Sequence, residues 1–142
     1  MELNYIKFDT AKLAKELGFD IRVPNGFDYT SKPIDITSVN NKIRKGVKCN
    51  FNKHEFYSRP NQQELQRWLR EKYGLCAYID WEHLECKIIN YLNKEGEVVY
   101  VGEMYADTPE DDLEDLLKRG LEYIKEYKWI NVDEFNLRKH GK

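Results

Sequence analysis

Two stretches of the chain repeat apolar residues at the spacing of an amphipathic helix. The apolar positions of the first stretch are Leu65, Trp68 and Leu69. Those of the second are Leu113, Leu116, Leu117, Leu121 and Ile124. The first stretch lies between Pro60, which suits the first turn of a helix, and Gly74, which suits its end. The second follows Thr108 and Pro109, so the pattern predicts two helices that each bury one face.

Between these helices the apolar period changes to two residues, which is typical of strands that bury one face. A turn at Glu82-His83 would place seven residues on the core side of a hairpin. They are Leu75, Ala77, Ile79, Trp81, Leu84, Cys86 and Ile88. A third strand is predicted over 97–105, after a turn at 93–96. The predicted fold class is α+β, with a short antiparallel three-stranded meander packed against two or three helices.

The pattern is less regular before residue 58. A short helix is predicted over 10–17, with Asp9 as its N-cap and Gly18 as its end. Turn residues and the alternating apolar Ile34 and Ile36 predict short strands or a hairpin in 20–57. Five aromatic residues favour packing of that segment: Phe27, Tyr29, Phe51, Phe56 and Tyr57.

The composition is that of a folded protein. With 41% hydrophobic and 34% charged residues among 142, the chain has enough apolar surface for one hydrophobic core. We therefore predict a single domain over 1–142, in which residues 20–57 form an irregular packed region.

The location of the protein is suggested by what the sequence does not contain. The first residues lack the basic and apolar segments of a signal peptide, and the apolar stretch 75–79 is too short to cross a bilayer. Three cysteines at irregular spacing, Cys49, Cys76 and Cys86, are a poor disulfide framework and suit a reducing compartment. We expect a cytoplasmic protein that does not bind membranes.

Charge is polarised along the chain, although the net charge is only −2. Residues 1–73 carry a net charge of +5 and residues 74–142 a net charge of −7. In the basic 42–72 segment, aromatic rings lie among the cations, a mixture that can bind nucleic acid through phosphates and stacked bases. The residues predicted to bind are Arg44, Lys45, Lys48, Arg67, Arg70 and Lys72. The alternative interpretation is a basic surface that is only solvated, or two oppositely charged halves that attract each other.

No pattern in the sequence predicts a catalytic residue, a metal site or a cofactor. Nucleophile elbows and glycine-rich phosphate loops are absent from the sequence. The residues that could hold zinc, Cys49, His54, Cys76, His83 and Cys86, include one close pair, whereas structural zinc sites use two. An enzyme built on Cys49, His54 and the surrounding loops is the weakest alternative.

An acidic run precedes and enters the last predicted helix. Its members are Asp107, Glu110, Asp111, Asp112, Glu114 and Asp115. The run lacks the alternating ligands and the glycine of a calcium-binding loop, whereas carboxylates are favoured at any helix N-terminus. It therefore predicts a solvated first turn.

Three stretches of sequence carry a resemblance to other proteins. They are Thr10-Ala-Lys-Leu-Ala-Lys-Glu-Leu-Gly-Phe19, the segment from Arg59-Pro60-Asn61-Gln62 through Leu65-Gln-Arg-Trp-Leu-Arg-Glu71, and Leu116-Leu-Lys-Arg-Gly-Leu121. In these stretches the chain resembles a group of small uncharacterised proteins encoded by phages and prophages of Bacteroidetes-type bacteria. The resemblance implies an association with mobile genetic elements and no particular activity.

Two functional hypotheses follow. The first is a non-enzymatic accessory or binding protein, associated with a phage or prophage, whose partner is a protein or a small ligand. The alternative is a nucleic-acid-binding protein that uses the basic 42–72 segment.

Overall fold

A computed structural model describes residues 4–92, 96–104 and 108–140. The chain forms two compact units, Met1–Gln63 and Glu64–Lys142, called here the N-terminal and the C-terminal unit. The described residues contain four α-helices and two three-stranded antiparallel sheets, so the predicted α+β class is confirmed. The single domain over 1–142, with residues 20–57 as an irregular packed region, stays a prediction.

The helix of the N-terminal unit is α1, Phe8–Glu16. Its N-cap is Lys7, which makes no capping bond through its side chain, so the prediction of Asp9 as N-cap is wrong. Asp9 lies inside the first turn, where a carboxylate interacts favourably with the helix dipole. The predicted end is confirmed: Gly18 adopts a φ of +87°, and Phe19 folds back into the core.

Three short strands form the sheet of the N-terminal unit. β1, Asn25–Phe27, lies between β2, Pro33–Asp35, and β3, Tyr57–Ser58, and both pairings are antiparallel. β1 and β2 form the hairpin that the sequence predicted. A Cβ atom on Gly26 would lie 2.8 Å from the ring of Phe51, so this fully buried ring packs on bare strand backbone.

The second helix is α2, Gln62–Tyr73, whose first two residues belong to the N-terminal unit. The prediction that Pro60 lies in its first turn is wrong. The carbonyl oxygen of Pro60 accepts a hydrogen bond from the N–H of Ile6 at 3.1 Å, and Asn61 forms a bridge with Tyr5. These contacts hold the segment before the helix in an extended conformation.

The sheet of the C-terminal unit is the predicted meander. Its strands are β4, Leu75–Asp80, β5, Glu85–Asn90, and β6, Glu97–Glu103, which pair antiparallel in that order. A β-bulge interrupts the pairing of β5 with β6 between Ile88 and Ile89. Residue 105 of the predicted third strand, and residues 93–95 of the predicted turn, lie outside the described residues.

One face of this sheet is buried, largely as predicted. Its buried side chains are Leu75, Ala77, Cys86 and Ile88. Trp81 and Leu84 were predicted on the same face, and this is wrong because both lie in the loop between β4 and β5. Their exposed fractions are 59% and 63%. The alternation of buried and exposed residues stops at the ends of the strands. The sequence pattern alone did not show where the strands end.

The helix α3, Pro109–Tyr127, covers the buried face of β4 and β5. It begins as predicted, because the hydroxyl oxygen of Thr108 accepts a hydrogen bond from the N–H of Asp111 at 3.2 Å. A Cβ atom on Gly120 would lie 3.5 Å from Leu69 of α2 and 3.7 Å from Ile88 of β5. α3 therefore packs closely on both elements.

A fourth helix, α4, Val132–His140, was not predicted. Its residues are mostly polar, and Leu137 is exposed, so no apolar stripe marks it in the sequence. Asn131 caps the start of the helix, because its side-chain oxygen accepts a hydrogen bond from the N–H of Glu134 at 2.8 Å.

Candidate functional site

The six residues predicted to bind nucleic acid fall into two groups. Arg44, Lys45 and Lys48 lie in an exposed loop of the N-terminal unit, residues 40–48, called here the basic loop. Arg67, Arg70 and Lys72 lie on α2 in the C-terminal unit. That these six residues bind nucleic acid stays a prediction.

The backbone of the basic loop follows two consecutive turns. The N–H of Ile43 donates to the carbonyl oxygen of Asn40 at 3.1 Å, and the N–H of Val47 donates to that of Arg44 at 3.4 Å. Gly46 takes the third position of the second turn with a φ of +92°, a conformation that favours glycine. These two turns give the backbone of the loop a defined conformation, although four of the seven residues in 42–48 are cations.

The C-terminal end of the basic loop is fixed to the body of the N-terminal unit. The N–H groups of Val23 and Cys49 each donate to the carbonyl oxygen of the other, both at 2.9 Å. Val23 is fully buried, so this pair fixes the position where the loop returns to the core. No sequence pattern marks this pair, because an isolated bridge has no periodicity.

The cations of the basic loop are exposed. Its basic residues are Lys42, Arg44, Lys45 and Lys48, and none forms an ion pair within the described part of the chain. Between Asp35 and Glu55 the sequence has no acidic residue. Hydrogen bonds from Thr37, with a smaller effect of the charge on Lys45, hold the pKa of Asp35 below its ordinary value. The loop therefore presents a concentrated positive charge to solvent.

Two aromatic rings of the basic 42–72 segment, Phe51 and Tyr57, pack within the N-terminal unit. Phe51 is fully buried beneath Gly26. Tyr57 packs edge-on against Phe8 with ring centroids 5.3 Å apart, and the Lys15 ammonium lies 4.8 Å from its ring centroid. These two rings stabilise the N-terminal unit, and their packing favours an interaction with phosphates over one with stacked bases.

The basic group on α2 is partly neutralised. The guanidinium of Arg67 donates to the carboxylate of Glu71 at 2.9 Å, and this hydrogen bond raises the pKa of Arg67. Arg70 is exposed on the same helix. The α2 group therefore offers less free positive charge than the basic loop.

The cysteines have the environments of structural residues. Burial raises the pKa of the Cys49 thiol. Burial and the charges of Asp112 and Asp115 raise that of Cys86, which lies with both of them beside a cleft of about 340 Å³. The strand register places Cys76 and Cys86 on opposite faces of the sheet, so the two cannot ligate one ion from the same side.

A group that the sequence did not single out lies at the β4–β5 loop. Asp80, Glu82 and His83 have ligand atoms within 4.8 Å of one another. The Asp80 carboxylate already contacts His83 Nδ1 at 2.9 Å and the Lys87 ammonium at 3.0 Å, and both contacts hold its pKa far below the ordinary value. A metal cation would compete with the Lys87 ammonium for the same oxygen of Asp80. The geometry therefore indicates that these contacts close the hairpin and do not form a metal site.

The acidic run before and within α3 is less solvated than predicted. Asp112 and Glu114 are buried polar residues of the helix, so the prediction of a wholly solvated first turn is wrong. Glu110 is exposed, as predicted. Asp107 lies outside the described residues.

The C-terminal unit contains a further cleft of about 310 Å³ that the sequence did not predict. It lies between the end of β5, the α3–α4 connection and α4, and eight residues line it: Asn90, Leu92, Tyr127, Lys128, Trp129, Ile130, Phe135 and Arg138. Because these residues come from three separate elements, no single stretch of sequence could have revealed it.

Comparison of the chain with protein-family models, with curated proteins and with solved structures finds no match. Within residues 4–92, 96–104 and 108–140, no helix combines the length and the apolar composition needed to cross a membrane.

Proposed function

We propose that the protein is a non-enzymatic accessory protein that binds nucleic acid through the basic loop. The observation that carries the proposal is the set of four exposed cations, Lys42, Arg44, Lys45 and Lys48, on a loop whose base is hydrogen-bonded to the core. Cations held on an ordered loop can meet successive phosphates, and the release of counterions provides the binding energy. This form of contact fixes the protein on the strand without reading its sequence.

Other features of the chain support a binding protein over an enzyme. The thiols of Cys49 and Cys86 have raised pKa values, which disfavour the reactive thiolate. The His83 ring is held by Asp80 in the hairpin loop. The resemblance to phage and prophage proteins supports a role linked to mobile elements, and the free thiols suit the reducing bacterial cytoplasm.

The proposal is tested by fluorescence anisotropy with labelled single-stranded and duplex oligonucleotides over a range of salt concentrations. If all four cations meet phosphates, log K should fall against log salt with a slope of about −3 to −4. The double variant Lys45→Glu/Lys48→Glu should bind more weakly and reduce the slope by about 2. Sequence changes in the oligonucleotide should have little effect.

Two comparisons make the result specific. The double variant Lys12→Glu/Lys139→Glu changes the net charge equally at exposed positions outside the loop, and it should bind like the unaltered protein. Arg70→Glu measures separately whether α2 takes part. If no binding is detected at low salt, or if both double variants weaken binding equally, the basic loop is not the binding site.

A further inference from the structure

We infer that the C-terminal unit binds a small aromatic monocarboxylate in the cleft between β5, the α3–α4 connection and α4. This ligand site is separate from the basic loop, because all of its lining residues belong to the other unit. At about 310 Å³, the cleft is at the lower end of the range for small-molecule sites. It therefore suits a single ring or a fused ring pair and is too small for a dinucleotide.

Aromatic rings form the walls of the cleft and are held in place. The ring of Tyr123 lies 4.8 Å from that of Tyr127 and 5.4 Å from that of Trp129, measured between centroids. The indole Nε1 of Trp129 also donates to the main-chain oxygen of Tyr73 at 3.1 Å. Tyr127 nevertheless has 63% of its surface exposed, so a flat ligand can cover it without moving the core.

Asn90 supplies a polar group to the lining of the cleft. The residue is only 5% exposed, and its Oδ1 accepts a hydrogen bond from the N–H of Leu92 at 2.8 Å, which fixes the orientation of the amide. Among the described residues, its Nδ2 has no hydrogen-bond acceptor. Because this Nδ2 is not fully buried, a ligand that offers an oxygen atom in the cleft can accept its hydrogen bond.

The charges around the cleft select a single negative charge. Lys128 and Arg138 line it, and Glu134 accepts one hydrogen bond from the Arg138 guanidinium at 2.8 Å. Lys128, Arg138 and Glu134 together carry a net charge of +1. One ligand carboxylate neutralises this charge, whereas a phosphate dianion would exceed it. Because the Glu134–Arg138 pair is exposed, it holds the guanidinium only weakly, and the remaining N–H groups can bind a carboxylate.

The inference is tested by calorimetric titration of the full chain with four related probes. 2-Naphthoate should bind with a Kd of about 1 mM or tighter, a value expected for about a dozen ligand atoms. 2-Naphthamide, which lacks the charge, and cyclohexanecarboxylate, which lacks the aromatic ring, should each bind at least about tenfold more weakly. 2-Naphthyl phosphate should bind no more tightly than 2-naphthoate.

Three variants locate the site. Asn90→Asp keeps the acceptor for Leu92 but replaces the donor by a carboxylate, and it should weaken 2-naphthoate binding at least about tenfold. Arg138→Gln should do the same, whereas Lys139→Gln, an equal loss of charge at the next residue of α4, should change the Kd less than about twofold. Because Arg138 and Lys139 are both exposed, neither change should unfold the helix.

Several results would overturn the inference. They are equal binding of the acid and the amide, equal effects of Arg138→Gln and Lys139→Gln, and the absence of heat with every probe. None of these results bears on nucleic-acid binding by the basic loop, because the probes carry no nucleic-acid backbone and the variants lie in the other unit.

Discussion

The indole Nε1 of Trp129 donates a hydrogen bond to the main-chain oxygen of Tyr73 across 3.1 Å. Tyr73 is the last residue of α2, and Trp129 follows the end of α3. The last carbonyl groups of a helix have no donor within the helix, so the indole satisfies one of them. One side-chain hydrogen bond therefore connects the ends of α2 and α3, between two residues that are 56 positions apart in sequence.

Removing this bond should lower the stability of the C-terminal unit. Trp129→Phe keeps an aromatic ring but removes the donor, and we expect the free energy of unfolding in urea to fall by about 1–2 kcal/mol. The matched control is Trp81→Phe, since Trp81 is largely exposed in the β4–β5 loop, and its effect should stay within about 0.5 kcal/mol. Equal effects of the two substitutions would contradict this account.

Two glycines should respond to alanine with opposite signs. A Cβ atom on Gly26 would lie 2.8 Å from both the Phe51 ring and the main-chain oxygen of Tyr57, so Gly26→Ala should destabilise the protein by about 1–3 kcal/mol. At Gly120 the nearest atoms are 3.5 Å away, an ordinary contact, and alanine favours the helix. Gly120→Ala should therefore be neutral or stabilise by up to about 1 kcal/mol, as thermal unfolding of both variants would measure.

The parts of the fold that the sequence predicted are those with a long periodic pattern. The apolar residues of α3 repeat at helical spacing from Leu113 to Ile124, about three turns, and β4 and β5 alternate, so these elements were placed correctly. α4 was missed because its residues are mostly polar, and a helix without an apolar stripe gives no such signal. Trp81 was misplaced because alternation shows the faces of a strand but not where the strand ends.

The candidate sites were predictable to different degrees. The cations of the basic loop were named from charge alone, because a run without acidic residues is visible in the sequence. That Arg67 belongs to the other unit could not be predicted from charge. The cleft that Asn90 lines could not be predicted from the sequence. Its walls come from three separate segments, within residues 90–92, 127–130 and 135–138, which meet only through tertiary packing.

The β4–β5 hairpin should lose stability in acid through one carboxylate. Hydrogen bonds from His83 and Lys87 hold the pKa of Asp80 below its ordinary value. A depressed pKa means that the charged form stabilises the fold at any pH above the ordinary value of about 4, and that this contribution is lost as the pH falls below it. Asp80→Asn should therefore be less stable than the unaltered protein near neutral pH, by a difference that shrinks in acid.

The measurement for Asp80 is urea unfolding of both proteins at a series of pH values from neutral to acidic. Glu82→Gln is the control, because Glu82 is exposed beside the same loop, and its stability should follow that of the unaltered protein at each pH. A difference between Asp80→Asn and the unaltered protein that stays constant with pH would show that the charge on Asp80 does not stabilise the hairpin.

The two thiols with raised pKa values should react slowly with alkylating reagents. Burial raises the pKa of Cys49, and burial together with Asp112 and Asp115 raises that of Cys86, so little thiolate exists near neutral pH. At pH near 7.5, iodoacetamide should modify both residues at least about tenfold more slowly than glutathione, as mass spectrometry of each cysteine peptide would measure. Unfolding in urea should remove this protection, because the thiols then regain ordinary pKa values. Alkylation of Cys49 in the folded protein faster than that of glutathione would instead indicate an activated nucleophile, and it would argue against a purely non-enzymatic function.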